Sequence, residues 1–362
     1  MSMYKQPWKL VPNRIRGKGG REIDKLRGIV PPVDDNTGSE AWIGSVTRVG
    51  NPPADKPDYG CSEVELPDGR RMYLYQAIEE DPKAVLGEAH MKVNGTGLGM
   101  LVKYLDAQAQ YGLQCHPTRP FAKEMWNSDY GKEESWYVIG TRDDTAEPAY
   151  ILLGFKEGVT REVWEKHYRA DDLDALEKLC HKIPVQVGEA YFVGGGVPHA
   201  LGEGCFVIEL QEPSDITLGA RSYQFMTSRG IKLADDEATY DAKLLGAYLY
   251  DGCTYEENLN RWRIPRKEIR ADGWGQEAFV IGPDQTAFFS FTELVINGEA
   301  PIVNTGFPQV GIVLSGGGTI EYEGGSMTVK QGEEVFFPYD VPGMMAKGAM
   351  TLILCHPEGA QA

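Results

Sequence analysis

Apolar residues fall in short runs bounded by turn formers: WYVIG (136–140), AYILLGF (149–155), CFVIELQ (205–211), FVIGP (279–283), FFSFTELVI (288–296), QVGIVL (309–314), GTIEYEG (318–324) and TLILC (351–355). Several alternate apolar with polar, the period of a half-buried strand, and glycine or proline closes most of them. The pattern predicts a mainly β protein. Val159–Lys182 departs from it, because Val163, Trp164, His167 and Tyr168, then Leu173, Leu176 and Leu179, fall near helical spacing. One or two helices inserted between strands are expected there, with a further helix over Asp236–Leu249. The charged stretch NRWRIPRKEIRADG (260–273) has no regular alternation and reads as part of a connection.

A search for internal similarity organises these strands. Residues 187–210, VGEAYFVGGGVPHALGEGCFVIEL, align without a gap on residues 331–354, QGEEVFFPYDVPGMMAKGAMTLIL, at a constant offset of 144. Gly188 meets Gly332, Glu189 meets Glu333, Val197-Pro198 meets Val341-Pro342 and Gly204 meets Gly348, whereas His199 meets Gly343. Both copies match, with lapses, the second motif of the cupin jelly roll, G-x5-P-x-G-x2-H. The fold expectation is therefore mainly β, with two cupin (double-stranded β-helix, jelly-roll) domains and a helical insertion in the first. The expected division is 1–230 for a catalytic cupin with the insertion at about 158–183, 231–271 for a connecting segment, and 272–362 for a degenerate cupin without metal ligands.

A tight glycine turn lets the following strand aim His199 into a small barrel. Partners should lie on other inward-facing strand positions. In Gln114-Cys115-His116 the outer two residues share one face of a strand, about 7 Å apart at Cα, while Cys115 points away. Glu134 opens the strand that runs through Trp136. Gln114, His116, Glu134 and His199 make a nitrogen and oxygen ligand set suited to one zinc ion, or to another divalent metal if the geometry differs. The other histidines, His90, His167, His181 and His356, lie in no such pattern and are read as structural or solvated.

Composition narrows the classes of function. Acidic residues outnumber basic ones 53 to 36, for a formal charge of -17, and the basic residues are scattered. Binding to nucleic acid or an anionic membrane is disfavoured. No apolar stretch of about 18 residues and no signal-like core occurs, so a cytoplasmic protein is expected. The six cysteines, at 61, 115, 180, 205, 253 and 355, form no C-x-x-C pair and read as reduced thiols.

The segments LVKYLDAQAQYGLQCHP (101–117), GKEESWYVI (131–139) and VGGGVPHALGEGCFVIELQEPSDITL (193–218) resemble successive blocks of the type I mannose-6-phosphate isomerases. EAWIGS (40–45) and GTIEYEGGSMTVKQGEEVFFP (318–338) extend the resemblance over most of the chain. It implies zinc at Gln114, His116, Glu134 and His199, and interconversion of mannose 6-phosphate and fructose 6-phosphate through a cis-enediol. Such chemistry needs an electrophile for the enediolate oxygens and a positioned base.

Lys132, two residues before Glu134, is expected to share its inward face, where a neighbouring positive charge favours a proton-transfer role. The resemblance implies a second cavity lysine at Lys103. Cys205, Val207, Glu209 and Gln211 alternate onto one face of their strand, which puts Glu209 among substrate-binding or base candidates. The family's S-D-x-T-x-R run departs here, because Ser214-Asp215-Ile216-Thr217-Leu218 is followed by Gly219. Arg221, two residues on, would face the same side of an extended segment and could supply the guanidinium. The alternatives are a cupin isomerase of a different sugar, oxygen chemistry on the same fold, or a noncatalytic metal- or sugar-binding bicupin. The expected partner is a small sugar phosphate, on a monomer or homodimer.

Overall fold

The computed structural model describes residues 2–50, 52–228 and 234–360. The chain folds as two compact units. The first comprises Met1–Asp106, Ile208–Pro213 and Pro265–Ala362; the second comprises Ala107–Val207 and Ser214–Ile264.

The first unit is built on a ten-stranded sheet. Its path runs through Lys267–Asp272, Gly275–Ile281, Phe289–Pro301, Met345–Pro357, Gln309–Tyr322, Glu334–Phe337, Trp8–Leu10, Glu63–Glu65 and Arg71–Tyr73, with Gly325–Lys330 paired beside Gln309–Tyr322. The expected runs QVGIVL and GTIEYEG are one long strand, with a register shift between Val313 and Ser315 where it runs beside Met345–Pro357. One face of the sheet gathers Leu294, Ile296, Val313, Ile320, Val335, Phe337, Leu352 and Leu354 into a barrel core.

The second unit holds a five-stranded sheet in the order Leu218–Gly219, Gln114–Cys115, His199–Leu201, Tyr150–Phe155, Cys180–Pro184. It also holds Glu134–Thr141, Ala190–Val193 and Arg263–Ile264, paired in that order. Alternation sorts the five-stranded sheet into two faces. Cys115, Leu152, Ala200 and Leu218 pack with Trp164, Tyr168, Leu176 and Tyr248. The residues next to them in register, Gln114, His199, Leu153 and Gly219, face the other way.

The insertion is two short helices. Thr160 caps Arg161–Arg169 by accepting from the Val163 N–H, and Asp172 caps Leu173–Lys178 by accepting from the Ala175 N–H. Between them Asp171 takes φ 51°, which breaks the helix. The expected helical span overruns at its end, because Cys180–Pro184 pairs with Tyr150–Phe155. Leucines at helical spacing do not prevail over an available sheet edge.

The compact units also cut the chain differently from the sequence-based division at 230 and 272. The strand Trp8–Leu10 pairs with Glu334–Phe337, placing Trp8 opposite Phe336 with their rings 5.5 Å apart. This non-local pairing ties residues 1–106 to the C-terminal strands, and Ile208–Pro213 joins the same unit. The expected connection 231–271 carries the helices Glu237–Ala247 and Tyr255–Trp262 and the strands Arg263–Ile264 and Lys267–Asp272; residues 231–233 of it lie outside the described residues. The repeat keeps its backbone signature, since Gly188 and Gly332 have φ of 93° and 80°, and Gly204 and Gly348 of 89° and 136°.

All six cysteines are free, and no helix among the described residues is long and apolar enough to cross a membrane. Trp8 is fully buried, so Trp8→Ala is expected to lower stability by about 3–5 kcal/mol. Amide exchange over Glu334–Phe337 should accelerate with it; unchanged protection there would separate the N-terminal strand from this unit.

Candidate metal centre

Local backbone demands assemble the site. After the strand Ala190–Val193 the chain turns through Gly194-Gly195-Gly196, and the Gly196 N–H donates to the His116 carbonyl at 2.7 Å. A Cβ on Gly195 would lie 2.9 Å from the Thr118 Cα, and one on Gly196, at φ 81°, 2.8 Å from the Ala247 carbonyl oxygen. Both contacts are closer than a side chain tolerates, so these two positions require glycine. The turn therefore lies directly on the His116–Thr118 backbone and brings the two histidine segments together. The His116 and His199 ring centroids are 4.7 Å apart.

Register supplies the other side chains. Gln114 stands opposite His199, and Glu134 opposite Val193 at the foot of the glycine turn. The Lys132 N–H donates to the Pro117 carbonyl at 3.0 Å, which pins the lysine beside His116. His116, Glu134 and His199 each offer a ligand atom within 4.8 Å of the others, and all three are buried. The Glu134 Oε2 is 3.1 Å from His116 Nε2, and Oε1 is 3.4 Å from His199 Nε2. The Gln114 amide terminus is also 3.4 Å from His199 Nε2 and presents Oε1 there after a half-turn of the amide.

This donor set fits a divalent ion. The Nδ1–H of His116 donates to the Ile216 carbonyl at 3.0 Å, and that of His199 to the Val197 carbonyl at 2.9 Å. Each bond fixes the tautomer so that the Nε2 lone pair faces the cluster, the outer-shell arrangement of metal-binding histidines. Both Glu134 oxygens are buried without a hydrogen bond, despite the close nitrogens. A tetrahedral ion with bonds of about 2.0–2.2 Å holds its ligand atoms about 3.3–3.5 Å apart, which is near the spacings found.

Protonation states agree with that chemistry. Burial, then the Lys132 charge, pushes His116 down to about 3, and burial lowers His199, so both imidazoles are neutral at pH 7. Burial alone would raise Glu134, but Lys132, His116 and His199 together hold it well below the usual carboxylate range. The Lys132 ammonium is 2.8 Å from His116 Nε2 and 3.2 Å from Glu134 Oε2, the one cation inside the cluster among the described residues.

The remaining candidates stand elsewhere in the chain. In the first unit Lys103 is buried, 2.9 Å from Glu209 Oε1 and 2.5 Å from Gln211 Oε1, with its ammonium over the Trp42 ring. The shared bond confirms that Glu209 and Gln211 lie on one strand face. Arg221 does not follow the extended geometry expected of it. Its N–H donates to the Gly219 carbonyl at 2.8 Å, a turn closed over Ala220. The guanidinium sits over the Phe225 ring and 3.8 Å from Asp171, not with the ligand cluster.

Gly219 itself stands opposite Gln114, and a Cβ there would meet only Met226, at 3.9 Å. What sequence reasoning missed are the Ile216 and Val197 carbonyls that orient the two imidazoles. Backbone acceptors carry no residue-type signal.

Residues 282–357 match the family model described as mannose-6-phosphate isomerase, cupin domain. Bacillus subtilis YvyI, a provisionally named mannose-6-phosphate isomerase, is 29% identical over 267 residues, 73% of this chain and 76% of the relative. A Streptococcus mutans mannose-6-phosphate isomerase is 26% identical over 261 residues, 71% and 73% of the two chains. The crystal structure of the Bacillus subtilis mannose 6-phosphate isomerase superposes with TM-score 0.74 at 23% identity, over 97% of this chain and 99% of that one. A zinc-bound mannose 6-phosphate isomerase superposes with TM-score 0.73 at 17% identity over the same shares. Over most of its length the chain is thus similar to mannose-6-phosphate isomerases, its C-terminal strands match their cupin-domain model, and its mainly β fold is theirs.

Proposed function

We propose that the protein is a metal-dependent isomerase of a sugar phosphate, interconverting mannose 6-phosphate and fructose 6-phosphate. The observation that carries this reading is the buried cluster of two oriented imidazoles and an ionised carboxylate, with a lysine ammonium among them. His116, Glu134 and His199, joined by Gln114, would hold the ion; the spacing, near that of tetrahedral coordination by nitrogen and oxygen, favours zinc. Bound there, the ion would supply an electrophile for the oxygens on C1 and C2 of the open-chain sugar.

The chain's own groups then do the rest. Lys132 carries protons at Nζ within the cluster, close enough to neutralise or protonate an oxygen that gains charge as the proton moves between C1 and C2. The hydrogen bonds from His116 and His199 to backbone carbonyls keep both rings from turning. Burial of His116, Lys132, Glu134 and His199 excludes bulk water and strengthens each electrostatic contact. Lys103 and Glu209 are assigned to substrate binding on the resemblance. Arg221 is retained as a candidate of lower standing, since Asp171 and Phe225 engage it. A cytoplasmic location is part of the same proposal.

A different sugar phosphate is the second reading, favoured by Gly219. A Cβ at position 219, opposite Gln114, would meet only the Met226 side chain at ordinary contact distance, where the resemblance leads one to expect an arginine. Position 219 accepts a Cβ without a clash, and Gly219→Arg should shift the preference among hexose and pentose phosphates if position 219 sets specificity; an unchanged ranking removes it from that role. Glu134→Ala and His199→Ala are each expected to lose stoichiometric metal after dialysis and to reduce aldose-to-ketose turnover by on the order of 10²-fold or more. Elemental analysis and a coupled assay on mannose 6-phosphate measure both, and full metal retention in both variants would sink the site.

A further inference from the structure

The C-terminal barrel has an inner face that is apolar except at one end. Leu294, Leu352 and Val313 line it, followed along the strands by Leu354, Gly311 and Val335. The next positions change character. Thr292 stands opposite Leu354, and Ser290 opposite His356. Val310 pairs with Cys355 on one side and Phe336 on the other, so Gln309, one step on, comes beside His356 and opposite Phe337. Strand alternation puts Ser290, Thr292, Gln309 and His356 on the face that carries Leu294, Leu354 and Phe337.

These side chains are buried, with exposures of 8% for Ser290, 0% for Thr292, 1% for Gln309 and 2% for His356. Thr292 Oγ1, Gln309 Oε1 and both ring nitrogens of His356 have no hydrogen-bond partner. The Gln309 amide nitrogen is engaged, donating to the Val303 carbonyl at 2.9 Å and to Thr305 Oγ1 at 3.4 Å, while its oxygen is left unpaired. Leaving one such atom buried and unpaired forfeits its hydration with nothing in return. Four such atoms, on three residues that strand register places close together, are a far greater cost than a folded barrel carries without return.

We propose that this end of the C-terminal barrel is an enclosed binding site for a neutral hydroxyl ligand, supplied by water or by a small polyol. The donors and acceptors define the chemistry. A neutral imidazole offers one N–H and one lone pair, a threonine hydroxyl can do either, and the Gln309 oxygen accepts; a hydroxyl both gives and takes a hydrogen bond. Burial holds the His356 imidazole down, to about 4, so the ring is neutral at pH 7, and none of the four side chains, Ser290, Thr292, Gln309 and His356, brings a charge to meet an ion. A metal or an anion would enter without a counter-charge. A hydroxyl meets no such penalty.

The test uses the full-length protein and the near-isosteric variant Thr292→Val. If a hydroxyl ligand is bound, the valine removes a hydrogen bond and Tm falls by on the order of 2–4 °C. If nothing is bound, replacing an unpaired hydroxyl by a methyl leaves Tm unchanged or raises it, and that result overturns the proposal. Glycerol titration separates the two sources. A larger rise in Tm for the wild type than for the variant identifies a polyol, and equal rises identify water.

A high-resolution crystal structure grown without glycerol should show ordered density within about 3.2 Å of Thr292 Oγ1, Gln309 Oε1 and a His356 nitrogen. An empty site there also overturns the proposal. Turnover on mannose 6-phosphate is expected to be the same in Thr292→Val and wild type, so this outcome is independent of the catalytic assignment.

Discussion

The second unit depends on one close approach, the Gly194–Gly196 turn lying on the His116–Thr118 backbone. No side chain fits between Gly195 and the Thr118 Cα, and the hydrogen bond from Gly196 to the His116 carbonyl fixes the distance. Everything chemical follows from it. His199 leaves the turn as the first residue of its strand, already opposite Gln114, and its ring meets that of His116. The same segment holds Lys132 through the Pro117 carbonyl, so the ammonium is set by the backbone that sets His116. A loop of larger residues would stand off from Thr118 and separate the ligands by more than one ion can span.

Electrostatics explains why the cluster is charged as it is. An isolated carboxylate buried like Glu134 would take up a proton, since desolvation opposes its charge. Lys132, with His116 and His199, reverses that outcome, while burial, with Lys132, pushes both histidines down. The result is a deprotonated acid facing two neutral nitrogens, which is what a divalent ion binds. In the first unit Lys103 and Glu209 meet the same burial cost by pairing with each other. A buried pair of this kind adds little net stability but is costly to break.

Much of this was legible in the sequence because strand alternation is rigid. Gln114 and His116 flank Cys115, and the cysteine packs with Trp164 and Tyr248 while its neighbours turn to the ligand side. Glu209 and Gln211 share a face, as their spacing required. The illegible parts were decided by hydrogen bonds or by distant pairing. Arg221 was expected along an extended strand, but a three-residue turn at Gly219 redirects it, and nothing in the residue types announces that turn. Cys180–Lys182 looked helical, but it lies in the strand Cys180–Pro184 that pairs with the edge at Tyr150–Phe155. Trp8 belongs with Phe336 across most of the chain's length, a contact that no local pattern encodes.

The repeat separates what the fold needs from what the chemistry needs. Gly188 and Gly332, and Gly204 and Gly348, retain left-handed backbones in both copies, so these turns belong to the barrel. The copies part at His199 and Gly343. His199 begins a strand, whereas Gly343 has φ 64° and the strand beyond it starts only at Met345. A Cβ at Gly343 would meet nothing closer than 3.7 Å, so lack of room does not exclude a histidine there; the backbone conformation disfavours it. The second copy therefore differs by more than a side chain. It lacks the extended segment that aims one, and the polar groups on its inner face lie at Ser290, Thr292, Gln309 and His356 instead of at the turn.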